Sequence, residues 1–283
     1  MTRKALLPVA ALSSALLLAG LGTSCTKLKA RDHINKGVHA YKSARYDEAV
    51  EHFKTAVQLD PEFPTARLYL ATAYMNQYIP GADSPENNQY AKAAQDEFLR
   101  VLENSPDDPD SRKVAIAYLA SLNYQQASGI PKLEDKLRKL DEARAWYEKL
   151  VQVDPQNKEA WYSLGVITWA KWYPELMAAR TKLGMKPEDP GPLKDAKVRA
   201  ELREKYGPMV EEGINNLEKA LEVDPDYDDA MAYMNLLIRE RADLADTPQQ
   251  YKRDLEIAEN WVDKTMETKK RKAAAAAGSG IAK

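Results

Sequence analysis

Four proline stops, Pro61, Pro106, Pro155 and Pro225, each close a short segment with the same three-residue signature. The segments carry Ala49/Phe53/Ala56, Ala94/Phe98/Val101, Ala143/Tyr147/Leu150 and Gly213/Leu217/Ala220. Steps of four and three put each trio on one face of a helix. Between the stops lie partner segments marked by Gly37, by Leu70-Ala71 with Tyr74, by Ser121 with Tyr124, by Trp161/Leu164/Gly165 and, after Pro225, by Met231/Met234. Small residues at Gly37, Ala71, Ala120 and Gly165 let two helix backbones approach closely, with large neighbours filling the groove beside them. A helix pair of this size cannot bury its own apolar face, so it must stack on copies of itself. The recurrence therefore predicts an all-α solenoid before any residue suggests chemistry.

The pattern resembles the tetratricopeptide repeat family, whose unit is a helix-turn-helix of about 34 residues. The resemblance rests chiefly on Lys158 to Leu164-Gly165 as a first helix and Tyr46 to Pro61 as a second. It implies a right-handed α-solenoid of about five repeats over residues 32–267. The first repeat has Lys36 where a leucine is usual, and the fifth, Asp228 to about Lys264, lacks the large aromatic and the proline stop. Such a fold supplies a surface and leaves the ligand open. In this family the concave groove is lined from the first helices, which here offer Ile34, Val38 and Tyr41, then Leu68, Thr72 and Met75, then Tyr118, Leu122 and Gln125, then Tyr162, Val166, Trp169 and Tyr173. Tyr41, Met75, Tyr118, Tyr162, Val166, Trp169 and Tyr173 are the candidate partner-binding residues, since aromatic anchors carry most of the energy of a peptide or helix interface. The competing expectation is that a long insertion covers Tyr162, Trp169, Trp172 and Tyr173 and makes them core. Trp161 occupies a packing position.

Spacing separates this chain from a regular array. The family keeps twelve residues between the small residue of the first helix and the alanine-like residue of the second. Gly37 to Ala49 obeys this, but the next four intervals are 23, 22, 48 and 23 residues, ending at Ala94, Ala143, Gly213 and Ala258. Turns within repeats emerge on one edge of a solenoid, so the extensions are expected to cluster there. The turn over residues 78–87 is compact, with a helix start at Ser84 or Asn87. The longest extension, about residues 171–208, contains Pro187-Glu188-Asp189-Pro190-Gly191-Pro192 and then a charged helix from Leu193 to Tyr206. A structureless stretch of that length is uncommon inside a compact domain, so it is expected to fold as a lid or flap.

The beginning of the chain reads as targeting. Arg3 and Lys4 precede an uncharged apolar run from Ala5 to Gly22, closed by Gly22-Thr23-Ser24-Cys25. This resembles a bacterial lipoprotein signal peptide over residues 1–24, and it implies lipidation of Cys25 followed by a short tether over residues 25–31. Thr26, in place of an aspartate after the cysteine, resembles sorting to a periplasm-facing outer membrane. Cys25 is the one cysteine, which excludes a disulfide within the monomer. Without Arg3 and Lys4 the exported chain holds 39 basic against 43 acidic residues, so no broad basic field exists for nucleic acid.

Little in the sequence supports catalysis, a cofactor or a metal. His33 and His39 are six residues apart, about 240° around a helix, and His52 completes the histidines. They read as solvent-facing. No zinc-binding, phosphate-cradling or nucleophile motif is present. Asp224-Pro225-Asp226-Tyr227-Asp228-Asp229 begins like a calcium loop, but Asp229 stands where glycine is required and Asn235 where glutamate is. It reads as a helix boundary, as does Asp107-Asp108-Pro109-Asp110. Lys269-Lys270-Arg271-Lys272 and the alanine-glycine remainder, residues 268–283, are expected to form a disordered tail. The expectation is a lipid-anchored, non-enzymatic scaffold of the bacterial cell envelope that binds an envelope protein or extended peptide. The alternative is a binding protein for a glycan or small solute held between the groove aromatics and the insertion.

Overall fold

A computed structural model describes residues 10–280, with side chains described for residues 25–277. The expected signal segment thus lies outside the described side chains, and Met1 to Val9 outside the described residues altogether. The described chain is all helical and divides into two compact units, Met1–Gly129 and Ile130–Lys283. The division falls between the two helices of the third expected repeat, within what reads in sequence as one stack.

The first unit contains α1 (Ala10–Lys42), α2 (Tyr46–Leu59), α3 (Pro64–Met75), α4 (Pro85–Asn104) and α5 (Pro109–Ser128). Each helix packs on the next, and α1, α3 and α5 also touch in succession. Helix starts follow from local chemistry. Proline opens α3, α4 and α5, where the missing N–H costs nothing. Ser84 Oγ accepts from Asn87 N at 3.1 Å, and Asp108 Oδ1 from Ser111 N at 3.0 Å. Gly37 admits Phe53, because a Cβ at residue 37 would lie 2.5 Å from the phenyl ring. Phe53, Ala49, Val50, Ala40, Leu70 and Ala73 form one apolar cluster. The turn over residues 78–87 is tied down by Asn87, whose side chain bonds Ile79 N, Ile79 O and Ala82 O at 2.7 to 2.9 Å. Its Gly81 abuts Gly129 so closely that a Cβ on Gly129 would meet Gly81 N at 2.4 Å.

The second unit contains α6 (Leu133–Val153), α7 (Lys158–Lys182), α8 (Ala196–Val223), α9 (Asp228–Ala242) and α10 (Pro248–Gly280). Successive helices pack together, and α7 also touches α9. Here Gly165 admits Leu217 and Gly213 admits Thr168, both with a notional Cβ contact of 2.5 Å. All twelve residues of the four trios are buried. Trp161 is only half-buried, with Lys219 Nζ 4.4 Å from its ring centroid and its Nε1 donating to Pro155 O at 2.9 Å.

Two expectations are corrected. The long insertion is no separate lid. It lengthens α7 to Lys182 and starts α8 at Ala196, leaving a loop over residues 183–195. Helix propagation needs only one residue fixed per added hydrogen bond, so extending two existing helices costs less than nucleating a new element. Met185 and Leu193 from that loop enter the core beside Trp172. The segment 268–280 is also helical rather than a disordered tail. Its cations meet the acid run: Arg271 pairs with Asp226, and Lys272 and Lys269 with Asp228. Thr265 and Thr268 are buried on the same helix.

Candidate functional site

Tyr162, Trp169 and Tyr173 stand seven and four residues apart on α7, which aligns them on one face. The rings of Trp169 and Tyr173 stack with centroids 5.0 Å apart and planes at 23°. From α9, Tyr233 meets both Trp169 and Tyr162 edge-on, each at 5.6 Å, and Tyr227 lies 5.0 Å from Tyr162. Edge-on and offset-stacked pairs add about 0.5–1.5 kcal/mol beyond area burial, so the stripe is preassembled. Tyr162, Trp169, Tyr173 and Tyr233 each remain partly exposed.

Met185 and Leu193 of the insertion pack with fully buried Trp172, while Trp169, which also packs on that core, and Tyr173 are half-buried. Val166 is 6% exposed and belongs to the core, which removes it from the groove. Its small branched side chain reaches only the helix interface, whereas the longer rings beside it extend past that layer.

Glu240, seven residues after Tyr233 on α9, joins the aromatic stripe. Its Oε1 accepts from Trp169 Nε1 at 2.8 Å, while its Oε2 is buried without a hydrogen-bond partner. Burial pushes its carboxyl up to about 8; the Trp169 hydrogen bond opposes that rise and the Asp243 carboxylate adds to it. An unsatisfied buried oxygen costs about 1–3 kcal/mol, which makes this an unusual group to retain.

Glu240 and Tyr173 border a cavity of about 440 Å³ whose other walls include Pro187–Gly191 from the insertion, together with Arg180, Arg239 and Tyr251. Arg180 fixes those walls. Buried on α7, it donates to Lys186 O at 3.0 Å, to Asp189 O and to the Asp243 carboxylate. Burial pushes the Asp243 carboxyl up, and Arg180 opposes it. Leu193 N donates to Asp243 O at 2.9 Å, and Gly191 N to the Tyr251 hydroxyl at 2.9 Å. Gly191 is required there, because a Cβ would fall 1.9 Å from Asp243 Oδ1. The fourth and fifth extensions thus meet at one edge of this unit. The polar residues doing so, Arg180, Glu240, Asp243 and Tyr251, carry no sequence signal beyond lying near the long intervals.

The remaining groove candidates lie in the first unit, on α1, α3 and α5. Tyr41 is edge-on to Tyr46 at 5.3 Å, and its hydroxyl accepts from Asn76 Nδ2 at 2.6 Å. Burial raises its phenol above the usual range, with the Tyr46 and Tyr118 phenols adding to the effect. The structure therefore brings Tyr41 and Tyr118 into electrostatic reach across 77 positions of sequence. Tyr118 itself stacks on Phe98 at 5.1 Å, and Met75 is half-buried.

His33 and His52, read separately in sequence, have their Nδ1 atoms 3.3 Å apart. His39 is exposed, with Arg45 as its neighbour at 3.3 Å. Among the described residues no three histidine, cysteine or acidic side chains gather as a metal site. Cys25 is exposed with a free thiol.

The tetratricopeptide repeat family matches residues 34–109 and 132–171. No curated protein matches the chain. Among solved structures, the MamA protein aligns over 87% of this chain and 94% of its own, with a TM-score of 0.50 and 13% identity. A double mutant of MamA from RS-1 aligns over 87% and 97%, with a TM-score of 0.50 and 15% identity. MamA 41-end from Desulfovibrio magneticus RS-1 covers 86% and 96% at a TM-score of 0.49 and 16% identity. Likenesses at this identity concern the fold alone. The tetratricopeptide repeat match is thus to residues 34–109 and 132–171, and the MamA structures share the helical fold.

Proposed function

We propose that this chain is a tetratricopeptide scaffold that binds a protein partner through the aromatic face of α7 and α9, and that it works in a bacterial envelope, anchored through lipidated Cys25. The carrying observation is the stripe Tyr162, Trp169, Tyr173 and Tyr233, preassembled by mutual ring contacts yet partly exposed. Rigid aromatics lose little entropy on binding and serve as anchors for peptide or helix partners. The anchoring reading is supported by the apolar run before Cys25 and by the exposure of that lone thiol. Among the described residues no helix is long and apolar enough to cross a membrane.

In-cell crosslinking with mass spectrometry tests the partner claim. Trp169→Ala with Tyr173→Ala should remove a stoichiometric partner while circular dichroism stays that of the parent; an unfolded double variant would show these rings to be core and defeat the claim. Mass measurement of the mature protein tests anchoring: an acylated Cys25 at the new N-terminus is expected, and a chain still carrying residues 1–24 would refute it. A second reading, a small solute or glycan held by the protein, draws on the cavity between Tyr173 and the insertion. It gains if solutes bind where no partner is crosslinked.

A further inference from the structure

Packing joins two histidines that lie 19 positions apart in sequence. His33 stands on α1 immediately before buried Ile34, and His52 on α2 immediately before buried Phe53, which fills the space left at Gly37. Each ring therefore hangs from backbone that the core holds in place, and the two Nδ1 atoms lie 3.3 Å apart. That is long beside the roughly 2.7–3.2 Å of ordinary N–H···O hydrogen bonds. It is, however, the separation that a shared metal ion imposes. With metal–nitrogen bonds of about 2.0–2.1 Å, two ligand nitrogens stand about 3.3–3.4 Å apart at a tetrahedral angle, about 2.9 Å at a right angle and about 4.1 Å on a line. The observed spacing meets the first of these, the geometry of zinc, and falls about 0.4 Å from the right angle of square-planar copper(II) or nickel(II). The surroundings agree. Glu48 pairs through one oxygen with Arg45 at 3.0 Å, and its other oxygen stands 3.9 Å from His52 Nε2. A carboxylate there favours the proton on Nε2 and leaves the Nδ1 lone pair for a metal. Asp32, bonded to Lys36 Nζ at 2.7 Å, is within electrostatic reach of both rings and adds a second negative charge beside an incoming cation. Both rings are partly exposed, so ions in solution reach them.

We propose that His33 and His52 bind one zinc ion through their Nδ1 atoms, a two-histidine clamp that ties α1 to α2 across the first repeat. Among the described residues no third histidine, cysteine or acidic side chain completes the site, so its remaining positions fall to water or to a donor from another molecule. Both rings must present a lone pair at Nδ1. In the metal-free contact His52 accepts and His33 donates its Nδ1–H, so His33 passes to the Nε2–H tautomer as the ion enters and no net proton is released. The two ligands meet only when α1 and α2 are packed, so zinc binding adds to the stability of that pair. The clamp lies in the first unit and is independent of the partner surface proposed for the second.

The test uses the purified full chain, stripped of metal by chelator and with the exposed Cys25 thiol alkylated so that it cannot compete. Zinc chloride is titrated in a calorimeter, with magnesium chloride as a cation of equal charge that prefers oxygen. Saturable zinc uptake is expected, weakened at least about tenfold by His33→Gln and by His52→Gln and changed less than about twofold by His39→Gln. Imidazole ¹⁵N spectra of the parent should show Nδ1 of both rings shifting with zinc and His33 taking the Nε2–H form. Zinc should also raise the thermal midpoint of the parent and not of the two variants. Absent uptake, or uptake unchanged in both histidine variants, would overturn the proposal. Equal responses to magnesium would do so too, since they would mark simple screening of Asp32 and Glu48. Where a histidine variant loses its helical signal, the ring ¹⁵N shifts of the parent decide, and zinc held through Nε2 would sink the clamp.

Discussion

Gly165 and Leu217 offer the sharpest test of how the helix pairs are held. A Cβ on Gly165 would lie 2.5 and 2.6 Å from Leu217 Cγ and Cδ2, where ordinary carbon contacts are about 3.5–4.0 Å, so about 1 Å of movement is demanded. Leu217 is fully buried and has little room to give. Gly165→Ala gains about 1 kcal/mol of helix propensity and incurs about 1–3 kcal/mol of overpacking, for a net loss near 1 kcal/mol. Leu217→Ala alone should cost about 2–5 kcal/mol through the cavity it leaves. In the double variant the new methyl enters that cavity, so the pair should be more stable than the sum of the singles by at least about 1 kcal/mol. Urea denaturation followed by circular dichroism measures all four corners of the cycle. Additive effects, or a Gly165→Ala protein more stable than the parent, would refute the account of glycine as the space that lets α8 approach α7.

Two further outcomes concern the edge where the insertion meets α9. Arg180→Met removes the partner of a buried carboxylate and the donor to two loop carbonyls, and should cost about 3–5 kcal/mol while opening residues 183–195 to limited proteolysis; a loss below about 1 kcal/mol would show the loop is held by apolar packing alone. For Glu240 the folded carboxyl titrates near 8 against about 4.3 when unfolded. The native state therefore holds a proton that the unfolded state has lost across that window, so this group lowers stability as pH rises through it, with no contribution to the slope below or above. The loss is on the order of a few kcal/mol, and denaturation midpoints at pH 5 and 8.5 should converge in Glu240→Gln; an identical pH slope in both proteins would remove Glu240 as its source.

The architecture was legible in the sequence because it repeats. Trios such as Ala49/Phe53/Ala56 recur at helical spacing, and local hydrogen bonding plus a period of 3.6 suffices to place them on one face. The glycines Gly37 and Gly165 were legible for the same reason, since a small residue opposite a large one needs no knowledge of distant chain. The half-buried rings of Tyr162, Trp169 and Tyr173 were placed on one stripe by periodicity, although the same periodicity put Val166 there, because it records direction and not reach. Tertiary structure decided the rest. Asp226 and Asp228 meet Arg271 and Lys272, more than forty positions away, and that pairing orders a segment whose composition alone suits a tail. Arg180 on α7, Glu240 on α9 and Asp243 just past its end became neighbours only when α7, the insertion and α9 packed together. Their ionisation depends on water excluded by that packing and on charges brought close through space, and neither quantity is a property of residue order.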